Sequence, residues 1–189
     1  MESAQLAEAV TLEAFEAFLS QPENRNRDFE WIGGRIVEVV SNSCSSHVAM
    51  LLGGELSVFA RKNKLGRVTG ADGGCIIGED RYIPDVAFVS YARQPEPCHD
   101  AHNPVPPDLA VEVLSPANAE VDIRIKIVNY LRVGTAVWLV SPAMQTVEVY
   151  LPNQPARIVR KDGLLDGGTL LPGFKLPLAE LFAEGTGAG

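Results

Sequence analysis

The stretch Pro107-Asp108-Leu109-Ala110-Val111-Glu112-Val113-Leu114-Ser115-Pro116 decides how the rest of this chain reads. Two prolines bracket a run of apolar and β-branched residues, the pattern of a short strand deep in a sheet. Side chains alternate along a strand, so Leu109, Val111 and Val113 share one face, and Asp108, Ala110, Glu112 and Leu114 the other. Glu112 is a carboxylate set into this apolar run, with Asp108 at its mouth. A buried charge needs a cation, a metal or a dense set of donors. Glu112 therefore requires a partner from elsewhere in the chain.

Downstream, Ser115 to Asn118 turns the chain into a helix from about Ala119 to Val133, closed by Gly134. Ile123, Ile127, Tyr130 and Leu131 form its packing stripe, and Tyr130 reads as packing. Lys126 lies one turn before Tyr130 on the same side. It borders the stripe and can bury its stem while its ammonium stays polar, although a solvated lysine is the plainer alternative. Ala136–Val140 and Thr146–Leu151 read as a hairpin around Ser141–Gln145, with Arg157–Arg160 a further strand. Asp166-Gly167-Gly168 reads as a turn, Leu178–Phe182 as a last short helix and residues 185–189 as a frayed tail.

Upstream, Tyr82-Ile83-Pro84-Asp85-Val86-Ala87-Phe88-Val89 reads as one strand, apolar on both faces and with proline near its start. Asp85 shares a face with Ala87 and Val89, and is the second carboxylate to enter the sheet. Ser90–Pro106 reads as a flexible, solvated loop; Cys98, His99 and His102 within it have an incomplete spacing for metal ligation. Arg67–Gly70 and Cys75–Gly78 read as short strands around a turn at Asp72–Gly74. Before them the serine-rich residues 41–46 read as a loop capping a helix that begins near His47. Val48, Leu51, Leu52, Leu56 and Phe59 repeat at helical spacing, His47 reads as a surface or capping residue, and Gly53-Gly54 suggests close packing against another backbone. Phe29–Ile32 and Arg35–Val40, separated by Gly33-Gly34, read as a hairpin. From that segment alone Glu30 reads as a solvated strand residue. Residues 11–20 read as an amphipathic helix with Thr11 as its N-cap.

The 189 residues, 46% of them hydrophobic, fit one domain over 1–189, with no repeat or linker. No apolar run approaches the roughly 20 residues that span a bilayer. The first residues have no basic region followed by an apolar one, so a cytoplasmic location is the default expectation. The three scattered cysteines argue against a disulfide framework or the usual structural zinc site. The net charge of −8 disfavours indiscriminate adhesion to nucleic acid, but leaves room for a local basic groove.

Asp85 and Glu112 sit on segments that can be neighbours. Two carboxylates side by side in an apolar sheet repel one another, and a cation between them removes that cost. Carboxylate oxygens suit Mg²⁺ or Mn²⁺, which retain waters and accept a substrate phosphate. A metal-bound water is a competent nucleophile near neutral pH, and a nearby lysine such as Lys126 can stabilise charge on phosphorus or orient that water. This outlines a metal-dependent phosphodiesterase. The structural alternative is a buried ion-pair network with Lys126 or an arginine. A carboxylate-pair glycosidase is disfavoured, because such sites need no lysine and sit in aromatic-rich clefts, whereas 7% of this chain is aromatic.

The chain also resembles the Uma-two family of endonuclease-like proteins, within the PD-(D/E)XK restriction-endonuclease-like superfamily. The resemblance runs through Phe29-Glu30-Trp31-Ile32, His47, Pro84-Asp85-Val86-Ala87-Phe88-Val89, residues 107–116, Lys126-x-x-x-Tyr130-x-x-x-Gly134, Trp138-Leu139-Val140 and Leu171-Pro172-Gly173-Phe174. It implies an α/β fold with a restriction-endonuclease-like core, a mixed β-sheet flanked by α-helices. It implies Asp85 and Glu112 as metal ligands for Mg²⁺ or Mn²⁺, Glu30 as a further carboxylate, and DNA as substrate. The superfamily places lysine two residues after the glutamate, where this chain has Leu114; Lys126 on the next helix matches the family's substitute. Gly33, Ser141 and the Ser41-Asn42-Ser43 loop also depart from the family pattern. A homodimer is expected by analogy. The competing expectation is a catalytically silent nuclease fold that binds nucleic acid or protein.

Overall fold

Residues 9–183 are described by a computed structural model. The frayed tail expected over 185–189 lies outside them. The first helix, α1 (Leu12–Leu19), is capped as its sequence predicts, with the Thr11 hydroxyl accepting from the Ala14 N–H at 3.2 Å. Its Phe15 packs with Phe29 and Trp31 of β1 (Phe29–Ile32). Gly33 and Gly34, at φ +55° and +79°, turn β1 into the antiparallel β2 (Arg35–Glu38). Positive φ at both central residues is what a tight hairpin of this hand demands, and glycine provides it without steric cost.

The second helix, α2, runs over Ser43–Lys62, starting before the expected His47. Asn42 is its N-cap, accepting from the Ser45 N–H at 3.0 Å, so the serine-rich segment forms the first helical turn. Gly53 lies over a side chain and not a backbone, since a Cβ there would stand 3.2 Å from Val86 Cγ2, while Gly54 faces open space. Further elements are β3 (Gly66–Gly70), β4 (Gly74–Ile77), β5 (Asp80–Tyr82), β6 (Val86–Ser90), β7 (His102–Asn103), β8 (Leu109–Val113), α3 (Glu120–Arg132), β9 (Ala136–Ser141), β10 (Thr146–Tyr150), β11 (Arg157–Arg160), β12 (Leu164–Asp166), β13 (Lys175–Pro177) and α4 (Leu178–Leu181).

A six-stranded mixed sheet has the order β11-β10-β9-β8-β6-β3, parallel at β8–β9 and antiparallel elsewhere. The parallel pair requires a long crossover, and α3 provides it. A five-stranded sheet has the order β2-β1-β5-β4-β7, and β12 pairs with β13. Leu109, Val111 and Val113 face one core with Leu52 and Leu56 of α2, Trp138 and Phe174. Ala110 faces the other core, with Ile123, Ile127 and Tyr130 of α3 and Ile32, Ile77 and Tyr82 of the smaller sheet. The alternation read from residues 107–116 therefore holds. Glu112 points into the second layer, between α3 and the smaller sheet.

Two further expectations fail. Residues 82–89 are not one strand: β5 ends at Tyr82 in the small sheet and β6 begins at Val86 in the large one. Pro84 has no N–H to give to a ladder, so the ladder stops there and the chain changes sheet. Asp85 consequently sits at the seam. Nor is the 90–106 loop a free connection. Arg67 donates to the Gln94 carbonyl at 2.8 Å, β7 pairs in parallel with β4, and Asp108 accepts from the Ser90 N–H at 2.6 Å and pairs with Arg93 at 3.1 Å.

Gly66 tests the register of β3 on β6. A Cβ there would collide with the Val89 carbonyl and stand 2.7 Å from both the Phe88 ring and Ser90 Cα. Backbone cannot yield as a side chain does, so Gly66→Ala is expected to cost about 3 kcal/mol, the upper end of overpacking penalties. Urea unfolding should show a lower midpoint with an unchanged slope; an unchanged midpoint would contradict the pairing.

Candidate active site

Four elements converge on Glu112. The β6–β8 register pairs Val86 with Val111, which carries Asp85 beside Glu112 at the seam. Asp85 Oδ2 is fixed by the Val113 N–H at 2.6 Å. From α3, Lys126 Nζ donates to Glu112 Oε2 at 2.7 Å and to Glu30 Oε1 of β1 at 2.8 Å. That Glu30 oxygen also accepts the Ile83 N–H at 2.6 Å, so the segment that changes sheets is tied to the same cluster. Tyr130, one turn after Lys126, donates to Glu112 Oε1 at 2.9 Å.

Glu30, Asp85, Glu112 and Lys126 therefore line one cleft, of about 240 Å³, with Ser115 and Asp122. Glu30 and Glu112 are each 5% exposed and Lys126 is 4% exposed, so neither Glu30 nor Lys126 is the solvated surface residue that its own segment allowed. Arg35 pairs with Asp122, and Arg27 with Glu38 at 2.6 Å, so two further carboxylates in the lining have their own cations.

Asp122 and Glu38 in the cleft lining have arginine partners, but Glu30, Asp85 and Glu112 share the cleft with one buried ammonium, an excess of two negative charges when all are ionised. Burial pushes the Glu112 carboxyl up to about 7, with Glu30 and Asp85 adding repulsion against the relief given by Lys126. Burial likewise raises Asp85, opposed by the Val113 N–H and Lys126. Burial would lower Lys126, but Glu112 and Glu30 outweigh it and hold the ammonium charged. Tyr130 is raised well above its ordinary value by burial and by Glu112, and stays a hydroxyl donor.

A divalent cation fits this donor set. Asp85 Oδ1 and Glu30 Oε2 take no hydrogen bond among the described residues. No three His, Cys, Asp or Glu side chains among the described residues are grouped so as to hold a metal by themselves. Mg²⁺ is commonly bound by one or two carboxylates with waters and phosphate completing its shell, a share that Asp85 and Glu112 would supply in the arrangement expected from sequence. The ion-pair network weighed as the structural alternative is also present, as Glu30–Lys126–Glu112, but it leaves Asp85 and the surplus charge unmatched.

Sequence reasoning missed a supporting layer. Asp80, 7% exposed, accepts from the Gly33 N–H at 3.0 Å, the Tyr82 hydroxyl at 2.6 Å and Asn129 Nδ2 at 2.8 Å. It ties the end of β1 to α3, and so sets Glu30 against Lys126. No local pattern announces it, because two of its three partners, Gly33 and Asn129, come from distant segments. Tyr130 did carry a signal, its one-turn spacing from Lys126. His47 is exposed on α2 and does not line the cleft.

The crystal structure of "a putative nuclease belonging to DUF820" from Anabaena variabilis ATCC 29413 is similar to this chain. It has a TM-score of 0.77 and 24% identity, over 88% of this chain and 96% of that one, and shows a shared fold. No curated protein compared with the chain matches it. Residues 15–179 match the family Uma2, described as "Putative restriction endonuclease". With the match covering most of its length, the chain belongs to the Uma2 family.

Proposed function

We propose that the protein is a Mg²⁺- or Mn²⁺-dependent endonuclease that hydrolyses DNA phosphodiester bonds. The observation that carries this reading is the charge imbalance: Glu30, Asp85 and Glu112 share a cleft with one lysine, and Glu30, Glu112 and the lysine are buried. Asp85 and Glu112 would hold the cation. When bound, it would lower the pKa of water and neutralise charge developing on the phosphate. Lys126 places its ammonium at the cleft to meet a phosphate oxygen. Glu30 keeps that ammonium in place and also receives the Ile83 N–H, so it acts by orienting the lysine. The cleft of about 240 Å³ is below the roughly 300–1,000 Å³ typical of small-ligand pockets, which suits one phosphodiester with the rest of the strand outside. DNA as substrate rests on the family description. A homodimer would present two such sites to two strands. Among the described residues no helix is long and apolar enough to cross a membrane.

One observation favours a second reading. Lys126 already bridges Glu30 and Glu112, as it would in a silent nuclease fold that serves as a binding module. Calorimetric titration with Mn²⁺, alongside nicking of supercoiled plasmid, separates the two. Binding in the intact protein, lost in Asp85→Ala and accompanied by Mn²⁺-dependent nicking, is the expected result. Absence of Mn²⁺ binding in the intact protein sinks the endonuclease and leaves the binding module.

A further inference from the structure

Both oxygens of Glu112 are held by one helix, Oε2 by Lys126 at 2.7 Å and Oε1 by Tyr130 at 2.9 Å. The two donors differ in what they can do. Lys126 is shared with Glu30 and sits on a flexible stem, whereas Tyr130 has no exposed surface and a rigid ring. That ring stands edge-on to Tyr82, with centroids 5.3 Å apart and planes at 67°. Tyr82 is itself fully buried, so its ring holds Tyr130 by packing. Tyr130 therefore cannot swing away from Glu112. Packing alone would not call for its hydroxyl, because phenylalanine fills nearly the same volume without burying a polar group that needs a partner. The hydroxyl is directed at Glu112.

We infer that Tyr130 is a positioning residue, whose hydroxyl fixes the rotation of the Glu112 carboxylate so that it stays available to a divalent cation beside Asp85. The inference rests on the metal-site reading above. A carboxylate oxygen has two acceptor positions, so Oε1 can receive the Tyr130 hydroxyl and still offer a lone pair to a cation. Without that hydroxyl, Glu112 is free to turn both oxygens onto Lys126 and withdraw from the cation. Tyr130 thus acts on the ligand, as groups behind metal ligands commonly do.

The test is calorimetric titration of the whole protein with Mn²⁺, for the natural sequence, Tyr130→Phe and Tyr82→Phe, with the melting temperature of each. Tyr82→Phe also removes a buried phenol hydroxyl, but one that points at Asp80. Tyr130→Phe is expected to weaken Mn²⁺ binding by about 10–100-fold, the usual effect of losing a partner behind a ligand. Tyr82→Phe is expected to bind as the natural sequence does. In plasmid nicking, the Tyr130→Phe rate should recover at saturating Mn²⁺, because positioning is lost and not chemistry. Equal Mn²⁺ affinity in Tyr130→Phe overturns the inference, and so does equal weakening in Tyr82→Phe or a rate that stays low at saturation. If the natural sequence binds no Mn²⁺, the metal-site reading falls first and takes the inference with it.

Discussion

Glu112→Gln is expected to abolish metal-dependent cleavage while leaving the protein at least as stable as before at neutral pH and above. On the proposed metal-site reading, losing Glu112 as a ligand is worth several kcal/mol in the transition state, hence roughly 10³-fold in rate. The stability effect has the opposite sign. Glu112 has its folded pKa raised from 4.5 to about 7, first by burial and then by the neighbouring carboxylates. A group raised in this way favours the native state when protonated. Its contribution is fully present below the unfolded pKa of 4.5 and is lost as pH rises through 7. The loss is on the order of 3 kcal/mol at most, at about 1.4 kcal/mol per pH unit. Glutamine keeps the shape without the charge: its one oxygen can accept from Lys126 while its amide N–H₂ faces the Tyr130 hydroxyl oxygen, and Glu30 still pairs with the ammonium. The difference in unfolding free energy between Glu112→Gln and the natural sequence should therefore grow in favour of the variant from pH 4.5 to 7. Paired urea titrations across that range measure it. A difference that stays flat with pH would mean that Glu112 ionises without penalty, and that the cleft has no surplus charge for a cation to relieve.

A residue whose removal costs activity and not stability marks a site built against its own fold. This contrast also explains what the sequence could reveal. Glu112 was legible because a charge on the apolar run of residues 107–116 breaks a local rule, and Asp85 because it follows Pro84 into a second apolar run. Lys126 was legible through its place beside the apolar stripe of α3, together with the family pattern. Glu30 was legible through the family pattern alone, because its burial comes from Lys126, 96 residues away, and from the Ile83 N–H; nothing on β1 distinguishes it from a solvated strand carboxylate. The change of sheet at Pro84 was hidden for the same reason. Two short apolar runs joined by Ile83-Pro84-Asp85 look continuous until their partners are known, β1 and β4 for β5, and β3 and β8 for β6. The small β12–β13 pair escaped because three-residue strands give too short a pattern for periodicity to show. Local chemistry was readable where it conflicted with its surroundings, and unreadable where distant segments supplied the context.

Lys126→Met is expected to produce the largest loss of stability of any substitution in the cleft. Methionine fills the lysine stem's volume but removes the ammonium between Glu30 and Glu112, leaving two buried carboxylates face to face with Asp85 nearby. Removing one partner of a buried ion pair costs about 3–5 kcal/mol, because the remaining charge stays desolvated. The cost should shrink as pH falls toward 5, since protonating Glu112 removes the repulsion; a deficit from poor packing would not respond to pH. Lys126→Met combined with Glu112→Gln should recover much of the loss, and the coupling energy of that double-mutant cycle isolates the ion pair. The same variant offers a reading of the cation site that needs no substrate. A divalent ion held by Asp85 and Glu112 would replace the missing positive charge, so saturating Mg²⁺ should raise the melting temperature of Lys126→Met more than that of the natural sequence. Equal shifts in the two proteins would show that the ion does not enter the charge balance that Lys126 maintains, and would separate the lysine's structural role from any metal centre.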